Sequence, residues 1–205
     1  MSYLKSKIIA DIKMESKFIR SFLAIPLSPD CRHKINALEL KLKEIIPSGI
    51  RWVNVDNLHI TLKFLGEFDL KHIPDFFNFL KTGFSQIGQF NLTFQNLGVF
   101  PNKFNPKVVW VGLAHPIELI NIFQGIEGAA AKMGYPREKR IFSPHVTIGR
   151  VKNEMPDPAM LDETIHKLKI EKICRCHVDK VVFLKSELTP GGPIYSELFQ
   201  LSLNR

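Results

Sequence analysis

The chain has 205 residues, 45% of them apolar, with a formal net charge of +8 at pH 7 and a sequence pI near 9.4. That composition can bury a globular core as one large domain or two small lobes, and no apolar run approaches the roughly 18–20 residues of a membrane-crossing helix. The positive balance favours a polyanion, nucleic acid or nucleotide, as ligand, while three cysteines, Cys31, Cys174 and Cys176, are an odd count that argues against a disulfide framework.

Residues 1–17 mix lysines with short apolar pairs and hold no signal-peptide core. They are expected to form an N-terminal extension, with Met14 as the natural start and residues 18–205 as the folded unit. Reduced thiols and the missing secretion signal point to the cytoplasm. Phe18 to Pro26 reads as a buried strand. Ser28 then supplies a helix N-cap with Pro29 at the first helical position. The helix runs to about Ile46 on an apolar stripe of Ile35, Leu38, Leu42, Ile45 and Ile46.

Arg51 to Val55 is predicted as a short strand, and Leu58 to Leu65 as another closed by Gly66. A helix over His72 to Phe84 follows. Phe90 to Phe100 and Lys107 to Leu113 read as strands, Pro116 to Met133 as a helix stopped at Gly134, and Phe142 to Val151 as a strand. Met155 to Lys169 is predicted as loop and helix. Val178 to Lys185 and Pro193 to Leu203 are the last strands, joined by the Thr189-Pro190-Gly191-Gly192 turn. Strand pairs joined by short turns favour α+β with antiparallel sheets over a doubly wound fold. No glycine-rich dinucleotide or Walker pattern is present.

One four-residue pattern occurs twice, 86 positions apart: His59-Ile60-Thr61-Leu62 and His145-Val146-Thr147-Ile148. Each copy lies in a half with similar elements, which suggests an internal repeat with a cleft between two lobes. Strand side chains alternate with a period of two. His59 and Thr61 therefore share a polar face, with Ile60, Leu62 and Phe64 on the apolar one. His145 and Thr147 do the same against Val146 and Ile148.

Two histidines titrating near neutral pH can act as base and acid on a phosphodiester. Threonine hydroxyls can donate to the non-bridging oxygens. Lys63 falls on the face of His59. Arg150, whose planar fork suits phosphate, has the wrong parity and needs a bulge at Gly149 to reach the site. Phe22, Phe100 and Tyr195 are candidates for stacking on a base. A metal set of Cys174, Cys176 and His177 is disfavoured, because alternation turns His177 away from the thiols.

Phe22-Leu23-Ala24-Ile25-Pro26, Asn57 to Gly66, Pro144 to Arg150 and Ser186 to Tyr195 together resemble the 2H phosphoesterases, in their prokaryotic 2′-5′ RNA ligase branch, over about residue 18 to the end. The resemblance implies a bilobal α+β fold with pseudo-twofold symmetry, two mostly antiparallel sheets flanking a central cleft and helices outside. It implies no metal requirement and action on RNA that ends in a 2′,3′-cyclic phosphate; separately, no cofactor is expected, and a monomer is expected because nothing in the chain resembles a dedicated interface. The ring would open to a 2′-phosphate, with reversible 2′-5′ joining at the same site. It casts His59 as proton donor to the leaving 3′ oxygen and His145 as the base that activates water. Thr61, Thr147 and Arg150 would hold the phosphate. Three other readings stay open: an enzyme for small cyclic nucleotides or 2′-5′ oligonucleotides, an RNA-end-binding module, and a metallohydrolase with the histidines as ligands.

Overall fold

Strand β1 (Phe18–Pro26) opens the computed structural model, which describes residues 17–114, 117–152, 158–168 and 172–204. The expected start at Met14 and all but Lys17 of the proposed extension lie outside these residues. So does the loop at 155–157. Ser28 caps helix α1 (Pro29–Ile45), its side chain accepting from the Cys31 backbone N–H. Strands β2 (Ile50–Trp52) and β3 (His59–Asp69) follow, then helix α2 (Ile73–Gly83), strands β4 (Phe90–Phe100) and β5 (Val108–Leu113), and helix α3 (Ile117–Lys132). Strand β6 (His145–Val151), helix α4 (Pro158–Leu168) and strands β7 (Cys174–Val178), β8 (Lys180–Thr189) and β9 (Gly192–Ser202) complete the chain. Among the described residues no helix is long and apolar enough to cross a membrane.

The strands form one curled sheet in the order β7-β4-β5-β6-β3-β1-β8-β9, with β2 also paired to β6, and the named strand pairs are antiparallel. The two sheets expected from the sequence are thus halves of one sheet. They meet at a single residue pair, Ile60 opposite Val146. Reading outward from that seam, β3 matches β6, β1 matches β5 and β8 matches β4. The unit β1-α1-β3-α2-β4 therefore repeats as β5-α3-β6-α4-β8, and each unit lends its last strand to the other half.

Two expectations change. The predicted strand Val178 to Lys185 breaks at Asp179, sending β7 to one edge of the sheet and β8 to the other half. Gly66 does not end β3. It adopts a φ of +66°, open to glycine at no steric cost, and the strand runs on to Asp69 beside a register skip.

The core lies on one face of the sheet, under the helices. Leu23, Ile25, Ile60, Val109, Val111, Val146 and Ile148 meet Ile35 and Leu42 of α1, Phe76 and Leu80 of α2, and Leu119, Ile122 and Ile126 of α3 there, all buried. A smaller cluster of Phe22, Ala24 and Val182, backed by Leu184 and Tyr195, covers the opposite face behind the first motif. At the N-terminus of α1 the Ser28 N–H donates to Cys176 Sγ at 3.3 Å and the Cys31 thiol to the Arg175 carbonyl at 3.2 Å, tying that helix to β7. Burial pushes the Cys31 and Cys174 thiols up, away from reactive thiolate.

Candidate active site

Ile60 and Val146 point into the core from the seam, so the residues flanking each point the other way. Antiparallel register carries His59 opposite Thr147 and His145 opposite Thr61. The two motifs thus close a square of two imidazoles and two hydroxyls at the centre of the sheet's open face.

Each imidazole is held alike. His59 Nδ1 lies 2.7 Å from the Asn57 carbonyl and His145 Nδ1 lies 2.7 Å from the Ser143 carbonyl. A carbonyl only accepts, so both Nδ1 atoms carry hydrogen, and in the neutral ring Nε2 is the free base. His59 Nε2 meets the Thr61 hydroxyl at 3.1 Å. Burial pushes both histidines below 6.5, each carbonyl contact pulls back, and positive charge nearby lowers each further: His145, when protonated, acts on His59, and Arg150 on His145.

Both motif strands carry a bulge at the same place. In β3 the register skips Leu62, so that Thr61 faces Ala24 but Lys63 faces Leu23. In β6 it skips Ile148, so that Thr147 faces Trp110 but Gly149 faces Val109. The extra residue reverses parity beyond it, and Arg150 emerges exposed on the face of His145 and Thr147. Its charge is felt by His145 and, from the other half of the sheet, by Tyr195.

The same reversal overturns the expectation for Lys63 as a phosphate ligand. Its side chain is 6% exposed and lies in the core, with Nζ 2.6 Å from Glu127 Oε1 of α3 and 2.9 Å from the Pro136 carbonyl. Phe64, assigned to the apolar face, emerges on the open face at 65% exposure, at the motif position that Arg150 holds in the second copy.

Rings line both walls. His59 packs against Phe22 and Tyr195 with centroids 5.0 and 5.3 Å away. His145 packs against Phe100 at 5.0 Å and Trp110 at 6.5 Å. All three predicted aromatics are therefore beside a motif histidine. Phe22, at 2% exposure, floors the His59 pocket and has no face left for a base. Burial raises the Tyr195 phenol, so its hydroxyl stays protonated and can donate, although Arg150 and Arg20 pull the other way. His177 turns outward, with Nε2 3.0 Å from Gln89 Oε1. Among the described residues no group of three metal-ligating side chains could hold an ion.

The sequence comparison repeats this duplication. The family model for LigT-like phosphoesterases matches twice, over residues 25–110 and again over 111–195, with one His-x-Thr motif in each match. The chain belongs to the LigT-like phosphoesterase family. Among its curated relatives, an RNA 2′,3′-cyclic phosphodiesterase of Methanothermobacter thermautotrophicus is 31% identical over 88% of this chain and 96% of its own. One of Archaeoglobus fulgidus is 33% identical over 88% and 98%. Escherichia coli LigT, solved as a complex with 3′-AMP, superposes with a TM-score of 0.74 at 25% identity, covering 92% of this chain and 99% of that one.

Sequence reasoning missed three residues that shape this family member's site. Trp110 sits in a strand apolar throughout, where no alternation marks an open face. Its ring lies so close over β4 that a Cβ on Gly98 would fall 2.2 Å from it. Asn57 serves twice: its carbonyl orients His59, and its side-chain amide donates to the Pro193 carbonyl at 3.0 Å, next to the strand segment carrying Tyr195. Phe64 was hidden by the bulge.

Proposed function

We propose that the protein is a metal-independent RNA 2′,3′-cyclic phosphodiesterase. The observation that carries this reading is the matched pair of imidazoles, each held through Nδ1 by the carbonyl two residues earlier and each presenting Nε2 to the same face. Opening a cyclic phosphate needs a base on the attacking water and an acid on the leaving oxygen, on opposite sides of phosphorus. His145 activates water and His59 protonates the leaving 3′ oxygen, which leaves a 2′-phosphate. The Arg150 cation beside His145 favours its unprotonated form, which supports this division of roles. Thr61, Thr147 and Arg150 hold the charge that builds on the phosphoryl oxygens, and the Tyr195 hydroxyl adds a donor. With a 5′-hydroxyl in place of water as the nucleophile, the same ring opening releases the 3′ oxygen and joins RNA ends through a 2′-5′ bond. The relatives' activity supports the substrate. Residues 18–205 act as one bilobal domain and a monomer, and the free buried thiols suit the reducing cytoplasm.

The test is product analysis on an oligoribonucleotide ending in a 2′,3′-cyclic phosphate, in EDTA. A 2′-phosphate product is expected. His59→Ala and His145→Ala should each lose about 10²–10⁴-fold in kcat with the fold intact. Normal turnover by both variants, or activity that needs added metal, overturns the assignment. The nucleotides found with E. coli LigT (3′-AMP, ATP) favour a second reading, a substrate of single-nucleotide size. It predicts that a nucleoside 2′,3′-cyclic phosphate is turned over as well as an oligonucleotide end.

A further inference from the structure

Strand β2 pairs with β6 so that Arg51 stands directly opposite Arg150. Residues directly opposite in an antiparallel pair project from the same face, with Cβ atoms about 5 Å apart. The core-facing neighbours fix which face this is. Ile50 is buried, and Ile50 and Trp52 are the side chains that a Cβ on Gly149 would strike. Arg51 therefore points away from them, to the open face of Arg150, and both arginines are exposed.

Like charges directly opposite in a sheet repel and destabilise it. Among the described residues neither guanidinium has a carboxylate within salt-bridge distance to relieve this. Two adjacent, unneutralised guanidiniums make an anion site with room for more than one phosphate. Arg150 is the one close enough for its charge to reach His145 and Tyr195. Val108 of β5 pairs with Arg150 from the other edge of β6, so Arg51 lies on the edge that β3 also uses, about 4.8 Å from Arg150.

We propose that Arg51 binds the phosphodiester on the 5′ side of the terminal nucleotide while Arg150 serves the cyclic phosphate, so that the site is built for an RNA end and not for a lone nucleotide. This rests on the cyclic-phosphodiesterase reading. A nucleoside 2′,3′-cyclic phosphate has only a hydroxyl at that 5′ position, and a dinucleotide with the same cyclic end carries the second phosphate. The arginine pair thus measures chain length through charge, with no need to read a base.

The experiment compares kcat/KM on these two substrates for the wild type and for Arg51→Gln. The ratio of dinucleotide to mononucleotide kcat/KM should fall about tenfold in the variant, the loss expected for one charge-assisted phosphate contact. An unchanged ratio overturns the subsite, whether both activities hold or both fall together. In the wild type, log kcat/KM against log salt should be steeper for the dinucleotide by about 0.7, one phosphate contact on a single strand. Equal slopes overturn it without reference to any variant. If the wild type opens neither substrate, the reaction itself is misassigned, which is a separate outcome.

Discussion

Replacing Lys63 separates the two places that residue could occupy. In a phosphate site its loss would raise KM and leave stability alone. Here it is buried against Glu127, and the two side chains are 6% and 5% exposed. Lys63→Ala strips the cation from a carboxylate that cannot reach water, which costs about 3–5 kcal/mol. For a domain of this size that lowers Tm by roughly 10 °C. The damage should also reach the site. Lys63 Nζ holds the Pro136 carbonyl, and Glu127 Oε2 accepts from the Glu138 N–H at 2.9 Å. The pair therefore pins the segment that leads to His145. Lys63→Met with Glu127→Leu removes both charges and fills similar volume, so the double variant should recover most of the lost stability. The assays are urea unfolding and kcat/KM on a cyclic-phosphate substrate at a temperature where each variant is folded. A Lys63→Ala protein of wild-type stability with a raised KM would refute the buried-pair account.

Because both motif histidines are held below 6.5, chiefly by burial, the form with one proton between them peaks on the acid side; kcat/KM should be greatest below pH 6.5 and fall toward pH 8, and a maximum near pH 8 would contradict this. The same shifts make the unfolded chain bind more protons, so this part of the stability is fully present above about 6.5 and is lost as pH falls through the folded values, readable as Tm against pH. Gly98→Ala drives a Cβ into the Trp110 ring; the overpacking should cost about 1–3 kcal/mol and lower kcat by displacing the rings against His145, seen in paired melting and rate measurements. Arg150→Gln should raise the His145 pKa toward 6.5 in an NMR titration and weaken substrate binding; an unmoved His145 would show that the guanidinium does not act on it.

The sequence showed the fold wherever local signals were complete. Ser28 and Pro29 set the start of α1, and the apolar stretch ending at Pro26 set β1, with the bounds found in the structure. It failed where one residue changed the count. Alternation presumes an unbroken period of two, and a bulge leaves no mark in the pattern of residue types. Lys63 was therefore drawn to the site and Phe64 to the core, when the skipped Leu62 exchanges them. Arg150 fared better, since its charge at a core-facing parity was itself a sign that the strand must bulge. Asp179 between β7 and β8 looks like a polar residue inside one strand, and only the pairing shows that the chain changes halves there. Arg51 could not be found from neighbours in sequence, because its partner across β2 and β6 lies 99 positions away.

The repeat makes two equivalent pockets, and the proposed mechanism needs them to differ, since in it one imidazole takes a proton while the other gives one. The motif's framework is the same in both copies: both histidines sit on the carbonyl two residues earlier, and both strands bulge one residue past the threonine. The copies diverge just beyond the bulge, where the reversed parity returns a side chain to the open face. In the second copy that side chain is Arg150, a cation that favours the unprotonated form of His145 and, in the proposed reaction, holds phosphate on its side. In the first it is Phe64, whose ring meets Phe22 at 5.7 Å and extends the apolar wall behind His59. An apolar wall weakens a lone imidazolium, but a bound phosphate anion supplies the missing counter-charge, and in that low-dielectric setting the attraction is strong. In the proposed reaction His59 would therefore hold its proton best once substrate is present, which is when an acid is needed. The bulge is thus more than a local irregularity of two strands. It turns outward a position at which, under the proposed mechanism, a symmetric scaffold can set its two histidines apart.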